Sequence, residues 1–143
     1  MENYNGINAS FGFTRDTAGV IAEGQVVPFN QVISNDSEIC GCKRAIELNI
    51  NTGEIFIKKS ASYLITLDGT ITPTTDAYLT LTGSNGKTID IPLFTTGAGT
   101  RVMFLKKGIF KIQNNYKTAV PYVVGTVIPT TVIAVTIAEQ RGL

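Results

Sequence analysis

The sequence predicts an all-β protein, a sandwich or barrel of short strands. Three observations carry this. No stretch of about ten residues holds a helical apolar period. β-Branched residues punctuated by Gly and Pro dominate. About nine or ten runs of strand character recur at the 8-to-12-residue spacing of sandwiches and barrels. The 143 residues fit one domain that can bury a core without staples.

Residues 1–8 form an N-terminal arm or anchor, rich in Asn and carrying Gly6, and residues 9–143 form the domain. The first strand alternates Ala9, Phe11 and Phe13 with Ser10, Gly12 and Thr14, so it has an aromatic face. Arg15 to Gly19 breaks it, and after Val20 and Ile21 the Glu23-Gly24 pair turns the chain into Gln25 to Ser34. There Pro28 removes one ladder donor and favours an edge strand or bulge. Asn35-Asp36-Ser37 reads as a turn. From Ala45 to Asn51, Ile46, Leu48 and Ile50 are expected inward, and Asn51-Thr52-Gly53 closes the run.

The chain is organised around Gly53 to Ile71. Ile55 and Ile57 alternate with Phe56 and Lys58, and then Tyr63 to Leu67 is apolar at every position but Thr66, as expected of a strand covered on both faces. Leu79 and Leu81 point inward in the next strand. Gly83-Ser84-Asn85-Gly86 is the clearest hairpin signal, because Asn-Gly supplies the positive backbone angles of a tight reversal. Ile89, Ile91 and Leu93 return from it. Val102 to Leu105 is a second strand expected to be buried on both sides, and Lys106-Lys107-Gly108 turns it into Ile109 to Gln113. The last strand has a bulky row, Ile133, Val135 and Ile137, and a smaller row, Val132, Ala134, Thr136 and Ala138. The first suits a domain core, and the second lets another backbone approach.

Composition narrows the function. Charged residues are 16% against about 25% in an average soluble protein, which points to surface hidden in an oligomer. Net charge is +1 and the basic residues are scattered, so no nucleic-acid patch is expected. With no His the commonest general base is missing, no nucleophile–base pattern occurs, and no Gly-rich phosphate cradle follows a strand. The expectation is no enzyme and no cofactor. Cys40 and Cys42 form a C-x-C pair whose mutual disulfide would be strained, leaving free thiols, bridges between chains or a metal shared between subunits, in that order. Apolar runs such as Val102 to Leu105 fall far short of the roughly 20 residues of a membrane helix, so no membrane insertion is expected. The Asn8 and Asn35 glycosylation patterns are discounted because nothing resembles a signal peptide, and synthesis in the cytoplasm is expected.

The order of elements resembles the tumour-necrosis-factor and complement-globular-head superfamily. The residues that carry this are Val27-Pro28-Phe29-Asn30, the small-x-Tyr-hydrophobic strand Ala61 to Ile65, the Phe104-Leu105-x-x-Gly108 hairpin into Lys111 to Asn114, and the hydrophobic last strand. The likeness runs from about Ala9 to Ala138 and is greatest to the bacterial and phage branch found on spore-surface tips and virion appendages. It implies a ten-stranded jelly-roll sandwich of two antiparallel sheets that assembles as a homotrimer, its first, last and two central strands facing the threefold axis. Carried over, Tyr63, Ile65 and Leu67 fill the core. The expected trimer interface is Phe11, Phe13, Leu64, Thr66, Val102, Phe104, Val132, Ala134, Thr136 and Ala138.

The expected function is structural: a non-enzymatic homotrimer displayed on a particle, a bacteriophage head fibre, decoration protein or tail-fibre tip, with the N-terminal arm held by another virion or surface protein. The alternative is a receptor- or glycan-binding module of a bacterial or spore surface. In that case Asp76, Asn114, Asn115 and Tyr116 are the candidate ligand residues, since ligand sites on rigid β scaffolds often sit in loops.

Overall fold

Two antiparallel five-stranded sheets share one apolar core in this computed structural model, which describes residues 6–39, 43–69, 77–84, 86–93, 98–124 and 130–140. Residues 1–5 of the expected arm, Cys40, Cys42, Asp76 and Asn85 lie outside the described residues. In chain order the strands are β1 (Asn8–Arg15), β2 (Gly19–Ile21), β3 (Gln31–Asp36), β4 (Glu38–Ile39), β5 (Lys43–Arg44), β6 (Ile46–Leu48) and β7 (Ile55–Ile57). They continue as β8 (Ala61–Gly69), β9 (Ala77–Gly83), β10 (Thr88–Leu93), β11 (Gly99–Leu105), β12 (Gly108–Gln113), β13 (Val120–Tyr122) and β14 (Thr130–Glu139). The first sheet has the order β11-β8-β14-β1-β3 and the second β10-β9-β12-β7-β6. Two short ribbons, β13-β2 and β4-β5, flank them.

Period-two alternation decides what the sheets bury. Tyr63, Ile65 and Leu67 of β8, Ile133, Val135 and Ile137 of β14, and Leu79, Leu81, Ile91, Phe110 and Ile112 of the second sheet meet in the core. Each such side chain contributes about 1.5–3 kcal/mol by leaving water. The β9–β10 hairpin turns at Gly86, where φ is +86°, and pairs Thr82 with Thr88, Thr80 with Asp90 and Tyr78 with Pro92. Gly53 closes the turn before β7 at φ +82°, and a Cβ there would stand 2.6 Å from the Val27 carbonyl oxygen.

Several expectations are corrected. Phe11 and Phe13 are inside the subunit, not on an interface, because they share the inward parity of Ala9 and pair with Val135 and Ile133. Val132 is also fully buried. The β1–β14 register shifts between Phe13 and Thr14, so Val132 is the unpaired residue of a bulge and does not continue the outward row. Ile50 is exposed, since β6 ends at Leu48 and a turn follows. Asn35-Asp36-Ser37 is no solvated turn: β3 runs through Asp36, and the buried Ser37 hydroxyl donates to Asn35 Oδ1 at 2.5 Å while accepting from the Ile46 backbone N–H at 3.2 Å. The Asn35 amide donates to the Ile46 carbonyl at 2.8 Å. This polar pin ties the edge of the first sheet to the start of β6. In β11 Gly99, Met103 and Leu105 are buried within the subunit, while Val102 is 59% and Phe104 50% exposed.

Tyr63 gives the fold a pH signature. Its hydroxyl donates to the Lys59 carbonyl at 2.5 Å, and nearby Lys59 pairs with Glu139 at 2.7 Å. Burial, and then the Glu139 charge, push the phenol up to about 12 from 10.0. The unfolded chain gives up this proton near pH 10 and the folded chain holds it to about 12, so the unfolded state binds fewer protons in that window and stability falls as pH rises through it. The stability gap between wild type and Tyr63→Phe should therefore be constant at lower pH and shift against wild type between pH 10 and 12. Urea midpoints measure it. A gap independent of pH throughout would contradict the assignment.

Candidate functional site

The outward face of the first sheet has an unusual composition, fixed by register. Thr100, Thr66, Thr136, Ser10 and Ser34 lie side by side across all five strands, and the Ser10 and Thr136 hydroxyls are 3.0 Å apart. The neighbouring row runs Val102, Leu64, Ala138, Asn8 and Asp36. Phe104 stands opposite Ser62, and Ala134 opposite both Asp68 and Gly12. Of the residues expected at an interface, the structure brings together Leu64, Thr66, Val102, Phe104, Ala134, Thr136 and Ala138 on this one face.

Charge is nearly absent from it. The charged side chains placed there lie at its margins: Asp36 on the edge strand, Asp68 near the end of β8, and the Lys87 ammonium, which donates to the Phe104 carbonyl at 3.3 Å. Apolar groups are exposed at both edges instead: Val102 and Phe104 on β11, and on β3 Ile33, close to half exposed and 3.2 Å from where a Cβ on Gly12 would stand. A shallow hollow of about 330 Å³ lined by Asp68, Gly69, Thr131 and Ala134 lies between them. The outward face of the second sheet has the usual solvated character, with Lys111, Asp90 and the Glu47–Lys58 ion pair. A charge-depleted centre beside exposed aromatic and aliphatic groups is the composition of a protein interface.

The candidate ligand loop after β12 divides. Asn114 is fully buried; its amide nitrogen donates to the Ile21 and Thr118 carbonyls at 2.9 and 3.0 Å, and its Oδ1 accepts from the Tyr116 N–H at 2.9 Å. It is therefore the pin of the loop and offers nothing to a ligand, which corrects its expected role. Asn115 and Tyr116 are exposed. The Tyr116 hydroxyl donates to Asp90 Oδ2, and its ring packs on Tyr78 with centroids 5.4 Å apart. Tyr78 and Asp90 were not among the expected residues. Counting outward from the Asn85-Gly86 turn would have placed Asp90 opposite Thr80, but no local pattern brings Tyr116 to them. Among the described residues no group of three or more His, Cys, Asp or Glu could hold a metal ion, and no helix is long and apolar enough to cross a membrane.

Among solved structures, the chain is similar to the Eiger TNF from S. frugiperda, with a TM-score of 0.62 at 11% identity over 98% of this chain and 96% of that one. It is also similar to the globular domain of zebrafish complement 1qA protein, at 0.53 and 18% over 95% and 98%. The fold is the tumour-necrosis-factor-like jelly roll. The PRD1 vertex protein P5 shares it, with a TM-score of 0.52 and 18% identity over 97% of this chain and 100% of that one. No protein-family model and no curated protein sequence matches the chain. At these identities the likeness concerns the jelly roll alone; what it does is argued from the two sheet faces.

Proposed function

We propose that the protein is a non-enzymatic homotrimer that serves as a structural or attachment element on a particle surface, most specifically a bacteriophage virion component such as a head fibre, decoration protein or tail-fibre tip. The observation that carries the reading is the charge-poor outward face of the β11-β8-β14-β1-β3 sheet, with apolar groups exposed at both edges. Two different apolar edges on one sheet suit a heterologous contact, in which the β11 edge of one copy meets the β3 side of the next. Repeated by a rotation that closes, such a contact makes a ring. The vertex protein among the structural neighbours supports the particle setting, and the second sheet is left free to face solvent. The residues ahead of Ile7 are assigned as the arm that holds another virion protein, since Ile7 is buried in the core and Asn8 opens β1, two residues that the expected arm of 1–8 gives up to the fold.

The test is a binding comparison. The purified protein is mixed with virions that lack it and, separately, applied to a glycan array. Tight, saturable binding to the deficient virions with silence on the array is the expected result. Binding to a defined glycan with no affinity for virions would overturn the reading in favour of a receptor- or glycan-binding module on a bacterial or spore surface.

A further inference from the structure

The second sheet carries, on its solvent side, a pair of packed tyrosine rings, one of which is hydrogen-bonded to a carboxylate. Asp90 lies on β10 opposite Thr80 of β9. Its Oδ1 accepts the Thr80 hydroxyl at 2.9 Å and its Oδ2 accepts the Tyr116 hydroxyl. Neither donor brings a positive charge, and no ion pair to Asp90 is formed among the described residues. The Tyr78 and Tyr116 rings lie 5.4 Å apart at 38° and are 37% and 40% exposed. Tyr116 is held at both ends, by its hydroxyl on Asp90 and by its backbone N–H on the buried Asn114. The aromatic surface is thus ordered before any ligand arrives, which lowers the entropic cost of binding.

We propose that Tyr78, Tyr116 and Asp90 form a binding site for a weakly hydrated organic cation of the quaternary ammonium class. A cation over a tyrosine face is attracted by the ring quadrupole, and here a phenol that donates to a carboxylate has a more electron-rich ring than a free one. The same contact with Asp90 holds the Tyr116 phenol above its ordinary value. The carboxylate adds a full negative charge that nothing described neutralises. A quaternary ammonium suits so open a site because it loses little hydration on approach. A neutral sugar fits less well: each Asp90 oxygen already accepts one hydroxyl, and a hexose brings no positive charge to the carboxylate or to the ring faces. The site is on the sheet opposite the proposed assembly face, so its accessibility does not depend on the oligomeric state.

The experiment titrates the full chain with choline and with its uncharged isostere, in which a tert-butyl group replaces the trimethylammonium, following tyrosine ring resonances by NMR. Choline should bind at least about tenfold more tightly than the isostere and shift the Tyr78 and Tyr116 rings. Asp90→Asn should weaken choline by about tenfold and leave the isostere unchanged. Should that variant unfold, Tyr78→Leu, which keeps the carboxylate and removes one ring, should still weaken choline severalfold. Equal binding of the two ligands, unshifted rings, or a hexose that binds the rings more tightly than choline would overturn the site. Phosphatidylcholine vesicles separate the sources: cosedimentation that choline displaces assigns a lipid headgroup, and choline binding without cosedimentation assigns a soluble or polymer-borne ligand, either result supporting the site. Failure here would leave the proposed trimer untouched.

Discussion

The Val102→Asp/Phe104→Asp double variant is expected to sediment as a folded monomer. Both side chains lie on the outward face of edge strand β11, 59% and 50% exposed in the isolated subunit. Aspartate there is solvated in the monomer and costs the subunit little. In the proposed ring the same carboxylates would be taken out of water against the neighbour's β3 side, which carries Ile33 and Asp36, at several kcal/mol per charge; Lys87, which donates to the Phe104 carbonyl, leaves the Val102 position as the harsher of the two. Wild type and variant should therefore have similar far-UV circular dichroism and different masses by sedimentation. A variant that keeps the wild-type association state would remove the β11 edge from the contact.

The second large effect separates the two faces of the same sheet. Phe11 sits in the middle of β1, its side chain is fully buried, and it pairs with Val135 of β14. Phe11→Ala should cost about 3–5 kcal/mol of stability, a transfer loss plus a cavity. That is a large share of the roughly 5–15 kcal/mol that holds a domain folded. Chemical denaturation measures it. If Phe11→Ala instead dissociated the assembly while leaving subunit stability within about 1 kcal/mol of wild type, Phe11 would belong on the outer face, as the sequence alone had placed it.

What could be read from the sequence was what depends on residues near one another in the chain. Period-two alternation identified the core rows of β8, β9 and β14, because a strand's facing is decided locally. The Asn85-Gly86 hairpin was legible for the same reason. The errors arose where a distant partner decides. Val132 continues the small row of the last strand in sequence, but the bulge against β1 turns it inward. Asn35 and Ser37 look like turn residues until Ile46, distant in sequence, supplies their hydrogen-bond partners. Asn114 resembles a solvated loop amide and is a buried pin because the Ile21 and Thr118 carbonyls converge on it. On the candidate assembly face, residues with no individual signal, Thr100, Ser10 and Ser34, became a continuous row only through the register of five strands.

In the proposed trimer, copies of this chain cover the charge-poor face of the β11-β8-β14-β1-β3 sheet for one another. Sedimentation equilibrium of the wild-type protein tests it most directly. The account predicts a species of three times the 15.3 kDa subunit mass that persists on dilution; a single well-folded 15.3 kDa species at high concentration would contradict it.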